Sequence, residues 1–358
     1  MKSKQYYWIF VLIVVSIILI SGCAIPHEQQ SGPARETKPA FPVQFTHHII
    51  DLSHYQRLIP PGSISADTFA EHGYLTLKED IDKSPIYAPI DADVLGIAYY
   101  SYSDQYTPET KSYDLSLIIN KDLSLFFGGI TELAPKLKAV APQQPQESSA
   151  SIDPTEPTSV KAGELIGYAN GGWDFGAYDK SNQNTVANTD RYWYKGSNTP
   201  GKYVTGVCPY KYYPDDMRQE YLNLMDGKKC PNASRDVPGT VAGYWFADKS
   251  FNIVEDDFFY FGGDYSLRLA IAAKEDGGVK WGGVGKGTDK ADVDASPTDP
   301  ADLQVGDSFC YKNDLDWIDT GKNYLFVKLL SETELGVLYG TGECPEAFPE
   351  SGYRTYVR

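Results

Sequence analysis

Between residues 45 and 139, apolar and polar residues alternate in short runs, and turn-forming residues separate the runs. A period of two places successive side chains on opposite faces of a β-strand, whereas an amphipathic helix needs a period near 3.6. The runs at 113–119 and 123–127 are joined by 120–122 (Asn-Lys-Asp), whose turn chemistry would close a hairpin. The chain is therefore predicted to be mainly β, with antiparallel strands.

The same pattern returns at 160–179, after a loop at 141–159 that contains four prolines. The chain holds 27 Tyr and 32 Gly, a composition that favours strands and turns. One helix is predicted at 214–227, because proline and acidic residues open this segment and glycine closes it. We expect a small antiparallel β-barrel or sandwich with one short helix and a small disulfide-linked C-terminal β module.

The first residues are typical of an export signal that ends in a lipobox. Lys2 and Lys4 precede an apolar run at 6–20, and Ser-Gly then leads into Cys23. A retained transmembrane anchor is the alternative, but a spanning helix needs about 20 apolar residues and this run is shorter. We predict a lipoprotein signal peptide at 1–22, a lipid on Cys23 and a polar, flexible tether at 23–42.

A lipid on Cys23 would attach the mature chain to the cell membrane on its extracytoplasmic face. The formal net charge of the whole chain is −16, and removal of 1–22 makes it more negative because two lysines and no acidic residue are lost. Nucleic acid is therefore not an expected partner. The expected partners are the membrane, through the lipid, and a glycan or protein of the cell envelope.

Four cysteines remain after Cys23, an even number in an oxidising compartment. Three pairings are possible, and we expect Cys208 with Cys230 and Cys310 with Cys344, because each pair closes a short loop within its own sequence block. A zinc site made of all four thiolates is the alternative, but no Cys-x-x-Cys spacing is present.

The predicted segments are a barrel domain at 43–284 (core 70–180), a linker at 285–306 and the C-terminal β module at 307–358.

Three phrases occur in a fixed order: Ser-Pro-Ile-Tyr-Ala-Pro-Ile-Asp-Ala-Asp-Val at 84–94, Phe-Phe-Gly-Gly-Ile at 126–130, and Val-Lys-Ala-Gly-Glu-Leu-Ile-Gly-Tyr at 160–168. Together they resemble the lysostaphin or LytM-type zinc peptidases, which are built on a barrel with a duplicated hybrid motif. The chain also looks like a broader set of envelope lipoproteins, through Cys-Pro-Tyr at 208–210 and the segment 236–246. That second resemblance implies architecture and no activity.

The peptidase resemblance implies a zinc ion held by two histidines and an aspartate, with further histidines near the attacking water. His72 matches the first ligand, but Thr76 stands where the aspartate is expected. A second histidine falls on Gly128 or Gly129, and the His-x-His strand falls on 172–175, where Asp174 is the one remaining candidate ligand. His72 and Asp174 are thus weak metal candidates, and we expect no cofactor, no catalytic residue and no enzyme activity.

Several aromatic residues are candidates for an exposed groove that stacks on sugar rings or holds a protein partner: Trp173, Tyr192, Trp193, Tyr194 and Trp245. Packing in the core is the alternative for each of them. The leading hypothesis is a non-catalytic lipoprotein with a degenerate peptidase-like barrel that binds a cell-envelope glycan or protein. The alternatives are a metal-dependent peptidoglycan or peptide endopeptidase with an atypical zinc site, and an architectural scaffold for envelope assembly.

Overall fold

The computed structural model describes residues 43–65, 68–102, 110–145, 154, 156–192, 200–247, 268–274, 278–283, 290–293, 298–312 and 323–358. The predicted signal peptide, Cys23 and the tether lie outside these residues. Within the described ranges, no helix combines the length and apolar character needed to cross a membrane.

Twenty-one strands and a few short helices make up the described chain. The strands are β1 (Tyr55–Ile59), β2 (Ile64–Ser65), β3 (Thr68–Phe69), β4 (Gly73–Leu77), β5 (Ser84–Tyr87), β6 (Ala92–Tyr102), β7 (Thr110–Ile118), β8 (Leu123–Ile130), β9 (Glu132–Leu133), β10 (Ser159–Val160), β11 (Leu165–Ala169), β12 (Trp173–Asp179), β13 (Gly206–Val207), β14 (Gly243–Phe246), β15 (Arg268–Ala273), β16 (Val279–Gly283), β17 (Lys290–Val293), β18 (Ser308–Lys312), β19 (Asn323–Ser331), β20 (Glu334–Thr341) and β21 (Arg354–Val357). The α-helices are α1 (Pro135–Lys138), α2 (Lys202–Thr205) and α3 (Asp215–Leu222), and 3-10 turns lie at Leu52–His54, Thr189–Arg191, Pro209–Tyr212, Asp226–Lys228 and Pro300–Asp302.

The first large sheet has the strand order β1-β4-β12-β8-β7-β6-β10, with β13 paired to β12. A separate three-stranded sheet has the order β5-β11-β9. Its strands β5 and β11 come from the sequence phrases at 84–94 and 160–168. The pairs are antiparallel, and the sheets form a nearly closed barrel. The mainly β, barrel-like fold expected from the sequence is confirmed.

The turn at 120–122 forms as its residues predict. The Asn120 side chain accepts hydrogen bonds from the backbone N–H groups of Asp122 and Leu123, both at 2.9 Å, and so closes the β7–β8 hairpin. The predicted helix is present as α3, but it ends at Leu222, five residues earlier than expected. Gly227 lies instead in a separate turn with φ of 66°, a backbone conformation that glycine adopts without strain.

The second large sheet has the strand order β17-β16-β15-β14-β21-β20-β19-β18. It joins strands from 243–293 to strands from 308–357, so the predicted C-terminal module shares its sheet with the preceding segment rather than standing alone. The predicted linker also contains a strand, β17, which pairs with β16. β17 is an edge strand, and edge strands tolerate charged residues. The acidic, proline-containing composition of the segment therefore predicted a linker although a short strand forms there.

Both predicted disulfides are present. Cys208 is bonded to Cys230, with Cα atoms 5.6 Å apart, and Cys310 is bonded to Cys344, with Cα atoms 6.1 Å apart. The first bond ties the chain before α3 to the chain after it, and the second ties β18 to the segment after β20. The four-thiolate zinc site is excluded, because these sulfur atoms are used in covalent bonds.

Besides the cores of the two large sheets, a third cluster of buried side chains includes residues from before β4 and from β14 and β15. Within it, the Phe69 backbone N–H donates to the Tyr244 hydroxyl at 2.5 Å, and the rings of Tyr192 and Tyr203 stack with centroids 5.0 Å apart. Arg358 is buried close by, with its guanidinium 4.0 Å from the centre of the Trp245 ring.

Candidate functional site

The first sheet has an apolar face and a polar face, as period-two patterning requires. The apolar face carries the buried residues Leu75, Leu115, Leu117, Leu125, Phe127, Trp173 and Phe175. The opposite face carries Tyr74, Tyr100, Ser112, Asp114, Phe126 and Asp174, which come from five neighbouring strands. Polar groups from distant parts of the sequence therefore meet on one surface.

A cleft of about 390 Å³ opens on this polar face. It is lined by Tyr74, Leu75, Thr76, Tyr100, Ser112, Gly129, Thr131, Asn170, Gly172, Trp173 and Asp174. Its volume lies in the lower part of the range for small-molecule sites, about 300–1,000 Å³. Of the positions that the peptidase resemblance singles out, Thr76, Gly129, Gly172 and Asp174 lie in this lining, whereas His72 and Gly128 do not.

His72 and Asp174, the two weak metal candidates, lie together, and Asp174 also lines the cleft. The His72 Nε2 atom is 3.7 Å from the Asp174 Oδ2 atom. Gly128 and Gly176 lie against these two side chains, where a larger residue would collide with its neighbours. A Cβ atom at Gly128 would lie 3.0 Å from Asp174 Oδ2 and 2.8 Å from the Phe126 ring, and one at Gly176 would lie 2.9 Å from the His72 Cβ atom.

Burial changes the protonation of both side chains. Burial, with a second contribution from the positive charge of Lys202, lowers the pKa of His72 to about 4. Burial also raises the pKa of Asp174 to about 7, with a second contribution from the negative charge of Asp114. At neutral pH the imidazole is therefore uncharged, so the 3.7 Å contact is not an ion pair but a close approach of two polar groups.

Asp114 is the second carboxyl group of the polar face. Its Oδ1 atom accepts hydrogen bonds from the Tyr100 hydroxyl and from the Gly129 backbone N–H, both at 3.2 Å. Burial raises the pKa of Asp114, although these two hydrogen bonds and the charge of Lys202 act in the opposite direction. Burial also raises the pKa of Tyr74 and Tyr100 to about 12, so both phenols keep their protons at neutral pH.

Two buried polar atoms near Asp174, His72 Nδ1 and Tyr178 Oη, have no hydrogen-bond partner among the described residues. The Ser112 hydroxyl, by contrast, interacts with the Tyr100 hydroxyl. Ser112 lines the cleft and is only 3% exposed. An unpaired buried hydroxyl costs about 1–3 kcal/mol, and in most proteins such groups are paired.

The side chains do not fit the zinc site that the peptidase resemblance implies. Structural and catalytic zinc sites use at least three protein ligands. His72 and Asp174 supply two donors, but Thr76 replaces the expected aspartate and Gly129 carries no side chain. In the part of the chain that the structure describes, no three His, Cys, Asp or Glu residues are grouped to hold a metal ion.

The proposed aromatic groove is not formed by the residues suggested for it. Trp173, Tyr192 and Trp245 are each no more than 1% exposed. The Trp173 indole donates to the Tyr55 hydroxyl at 2.7 Å, and the Trp245 indole donates to the Val241 carbonyl at 2.8 Å. Their rings belong to the cores, because the hydrophobic effect favours burial of so large an apolar surface. Trp193 and Tyr194 lie outside the described residues.

The sequence did not reveal the cleft residues Tyr100 and Ser112, nor Asp114, which accepts a hydrogen bond from the Tyr100 hydroxyl. A signal for two of them exists, because Ser112 and Asp114 occupy alternate positions of β7, where the opposite positions are apolar. The pattern places them on the non-core face but gives no indication that this face contains a cleft.

Comparison of the chain with protein-family models, curated proteins and solved structures gives no significant match.

Proposed function

We propose that this protein is a lipid-anchored, extracytoplasmic binding protein that holds a short segment of a cell-envelope glycan in the cleft of its barrel, without catalysing a reaction. The observation that carries the proposal is the cleft on the polar face of the first sheet, where hydroxyl, amide and carboxyl groups converge beside tyrosine rings. Such a mixture suits a sugar, which presents hydroxyl groups at its edge and C–H groups on its face.

The size of the cleft supports a glycan rather than a protein as the ligand. A stable protein–protein interface buries about 800 Å² on each partner over a broad surface. A cleft of about 390 Å³ holds a few small chemical units. Most of its polar side chains come from β4, β6, β7 and β12, which are held by the sheet, so little ordering is needed when a ligand enters.

The location follows from the N-terminal sequence. The apolar run at 6–20 and the small residues before Cys23 support export and lipid attachment. The two disulfides agree with an oxidising compartment. An anchored protein with a flexible tether would sample envelope glycans within a short distance of the membrane.

The experiment is isothermal titration of the full-length chain in detergent with soluble fragments of envelope glycan strands. We expect binding that weakens in Asn170→Ala, which removes an amide from the cleft lining. Asn182→Ala is the matched control, because Asn182 is exposed and does not line the cleft. Absence of binding to every fragment, or equal loss in both variants, would contradict the proposal.

A further inference from the structure

We infer that Asn170 is a site of spontaneous chemical modification, at which the side-chain amide becomes a carboxyl group through a cyclic imide formed with the backbone nitrogen of Gly171. Because Asn170 lines the cleft, the conversion would place a new negative charge there. The effect on ligand binding rests on the proposed glycan-binding function, whereas the modification itself does not.

Asn170 and Gly171 form the only Asn-Gly pair in the sequence. When any other residue follows an asparagine, its side chain crowds the backbone nitrogen that must approach the asparagine amide. Glycine has no side chain, and it reaches backbone conformations that other residues avoid. The pair is therefore the place in the sequence where closure of the imide ring is least hindered.

The structure places this pair in an open turn. β11 ends at Ala169 and β12 begins at Trp173, and the three residues between them, Asn170, Gly171 and Gly172, are all exposed. Gly171 has a φ of 93°, and apart from its chain neighbours no heavy atom lies within 4 Å of the position that a Cβ atom would occupy there. The space around the turn therefore allows the backbone rotation that brings the Asn170 Cγ atom to the Gly171 nitrogen.

No hydrogen bond to another described residue holds either reacting group. The Gly171 N–H donates to no carbonyl, and the Asn170 side chain has no hydrogen-bond partner. By contrast, the Asn120 side chain accepts hydrogen bonds from two backbone N–H groups, and the Asn232 side chain accepts one from the N–H of Cys208. Such bonds would have to break before a ring could close, and the turn at Asn170 lacks this barrier.

The reaction needs water and no other reactant. The Gly171 nitrogen forms a bond to the Asn170 Cγ atom, the bond from Cγ to the amide nitrogen breaks, and ammonia leaves with the proton that the Gly171 nitrogen loses. Water then opens the imide at one of its two carbonyl groups. Opening at Cγ gives aspartate in the ordinary backbone, and opening at the main-chain carbonyl gives isoaspartate, in which the backbone runs through Cγ. Because the ammonia is lost, water does not restore the amide.

Either product changes what the cleft offers to a ligand. The asparagine amide has two N–H donors, whereas a carboxylate only accepts hydrogen bonds. The new carboxylate would also share the lining with Asp174, and like charges oppose each other. Loss of one hydrogen bond to a glycan hydroxyl corresponds to about fivefold in the dissociation constant. The affinity of the cleft for a glycan should therefore fall as the chain ages.

The test is prolonged incubation of the full-length chain in detergent at pH 8, followed by mass spectrometry of its peptides. The peptide that contains Asn170 should gain the mass by which a hydroxyl exceeds an amino group, and should separate into aspartate and isoaspartate forms on chromatography. Asn182 is the internal control, because it is also exposed but is followed by Gln183, and it should stay unmodified. A folded chain that keeps its Asn170 amide, while the same chain in urea loses it, would overturn the inference.

Samples taken during the incubation are then titrated with the soluble fragments of envelope glycan strands. The affinity should fall about fivefold as Asn170 converts, and Asn170→Asp should show the lowered affinity from the start. Asn170→Gln is the matched control, since it keeps an amide but would have to close a larger and less favoured ring. The mass and the affinity of this variant should not change with time.

The outcomes separate the modification from the function. Conversion of Asn170 with a parallel fall in affinity supports both. Conversion without a change in affinity supports the modification and overturns its effect on the cleft. Absence of glycan binding before the incubation contradicts the proposed function, and the mass measurement still decides whether Asn170 is modified.

Discussion

Replacing Asp174 by asparagine removes a carboxyl group whose pKa is raised to about 7 by burial and by the negative charge of Asp114. In the unfolded chain an aspartate has a pKa of about 3.9, so between these two values the folded protein binds a proton that the unfolded chain does not. The contribution of Asp174 to stability is therefore favourable below pH 4 and becomes progressively unfavourable as the pH rises through 7.

The magnitude follows from the size of the shift. One pKa unit corresponds to about 1.4 kcal/mol, and a shift of about three units gives about 4 kcal/mol between pH 4 and pH 7.5. His72 has the opposite effect, because burial lowers its pKa to about 4, and its folded form stays neutral where the unfolded imidazole is charged. In the natural chain the two slopes nearly cancel between pH 4 and 6.5.

The assay is urea unfolding of the natural chain and of Asp174→Asn at pH 4.5, 5.5, 6.5 and 7.5, with the disulfides intact. The free energy of unfolding of the variant, minus that of the natural chain, should rise by about 3 kcal/mol over this range. His72→Gln should give a difference that falls with pH up to 6.5. Asp80→Asn, at an exposed turn after β4, is the control. A flat difference for Asp174→Asn would refute the reasoning, because it would mean that this carboxyl group titrates as if exposed.

Further perturbations test other parts of the molecule. Loss of the Cys208–Cys230 bond, which closes a loop with a sequence separation of 22, should lower the free energy of unfolding by about 3 kcal/mol in urea titrations, and a change below 1 kcal/mol would contradict this. Gly128→Ala places a methyl group 2.8 Å from the Phe126 ring and 3.0 Å from the Asp174 carboxyl group, so it should cost about 1–3 kcal/mol by the same assay and weaken ligand binding. Arg358→Ala should cost about 2–4 kcal/mol by thermal unfolding, because the buried guanidinium donates to the carbonyls of Thr240 and Ala242 at 2.7 and 2.6 Å; an unchanged midpoint would argue against this anchor. After dialysis against trace zinc, mass spectrometry should find well below one zinc per chain, whereas one zinc lost in both His72→Ala and Asp174→Ala would favour the peptidase alternative.

Much of the first sheet could be predicted because its information is local. The alternation at 113–119 and 123–127 and the turn at Asn120 specify a hairpin without reference to the rest of the chain, and the cysteine pairing followed from short loop lengths. The grouping of the second sheet could not be predicted in this way. Its central pairing joins Phe246 to Val357, and no local pattern records a contact across so many residues.

The candidate site likewise contains some residues that the sequence indicated and others that it did not. The resemblance to zinc peptidases drew attention to His72 and Asp174, and the structure brings their side chains within 3.7 Å of each other. The contribution of Asp114 was not apparent, because it depends on β7 and β12 lying on either side of β8. The aromatic groove was wrong for the described residues Trp173, Tyr192 and Trp245, since sequence patterns do not distinguish a large aromatic residue on a surface from one in the core.

The position of β21 in the second sheet has a consequence for how the protein matures. β21 lies between β14 and β20, so among the described strands it alone connects the half of the sheet formed by 243–293 to the half formed by 308–341. A chain that is threaded across a membrane from its N-terminus delivers residues 354–357 after both halves have emerged. Until then each half exposes an unpaired edge, and such edges invite pairing with other chains. Under the proposed export, a chain that waits at this stage would depend on a chaperone outside the cytoplasm, and a truncation before 354 would leave both edges unpaired and favour aggregation.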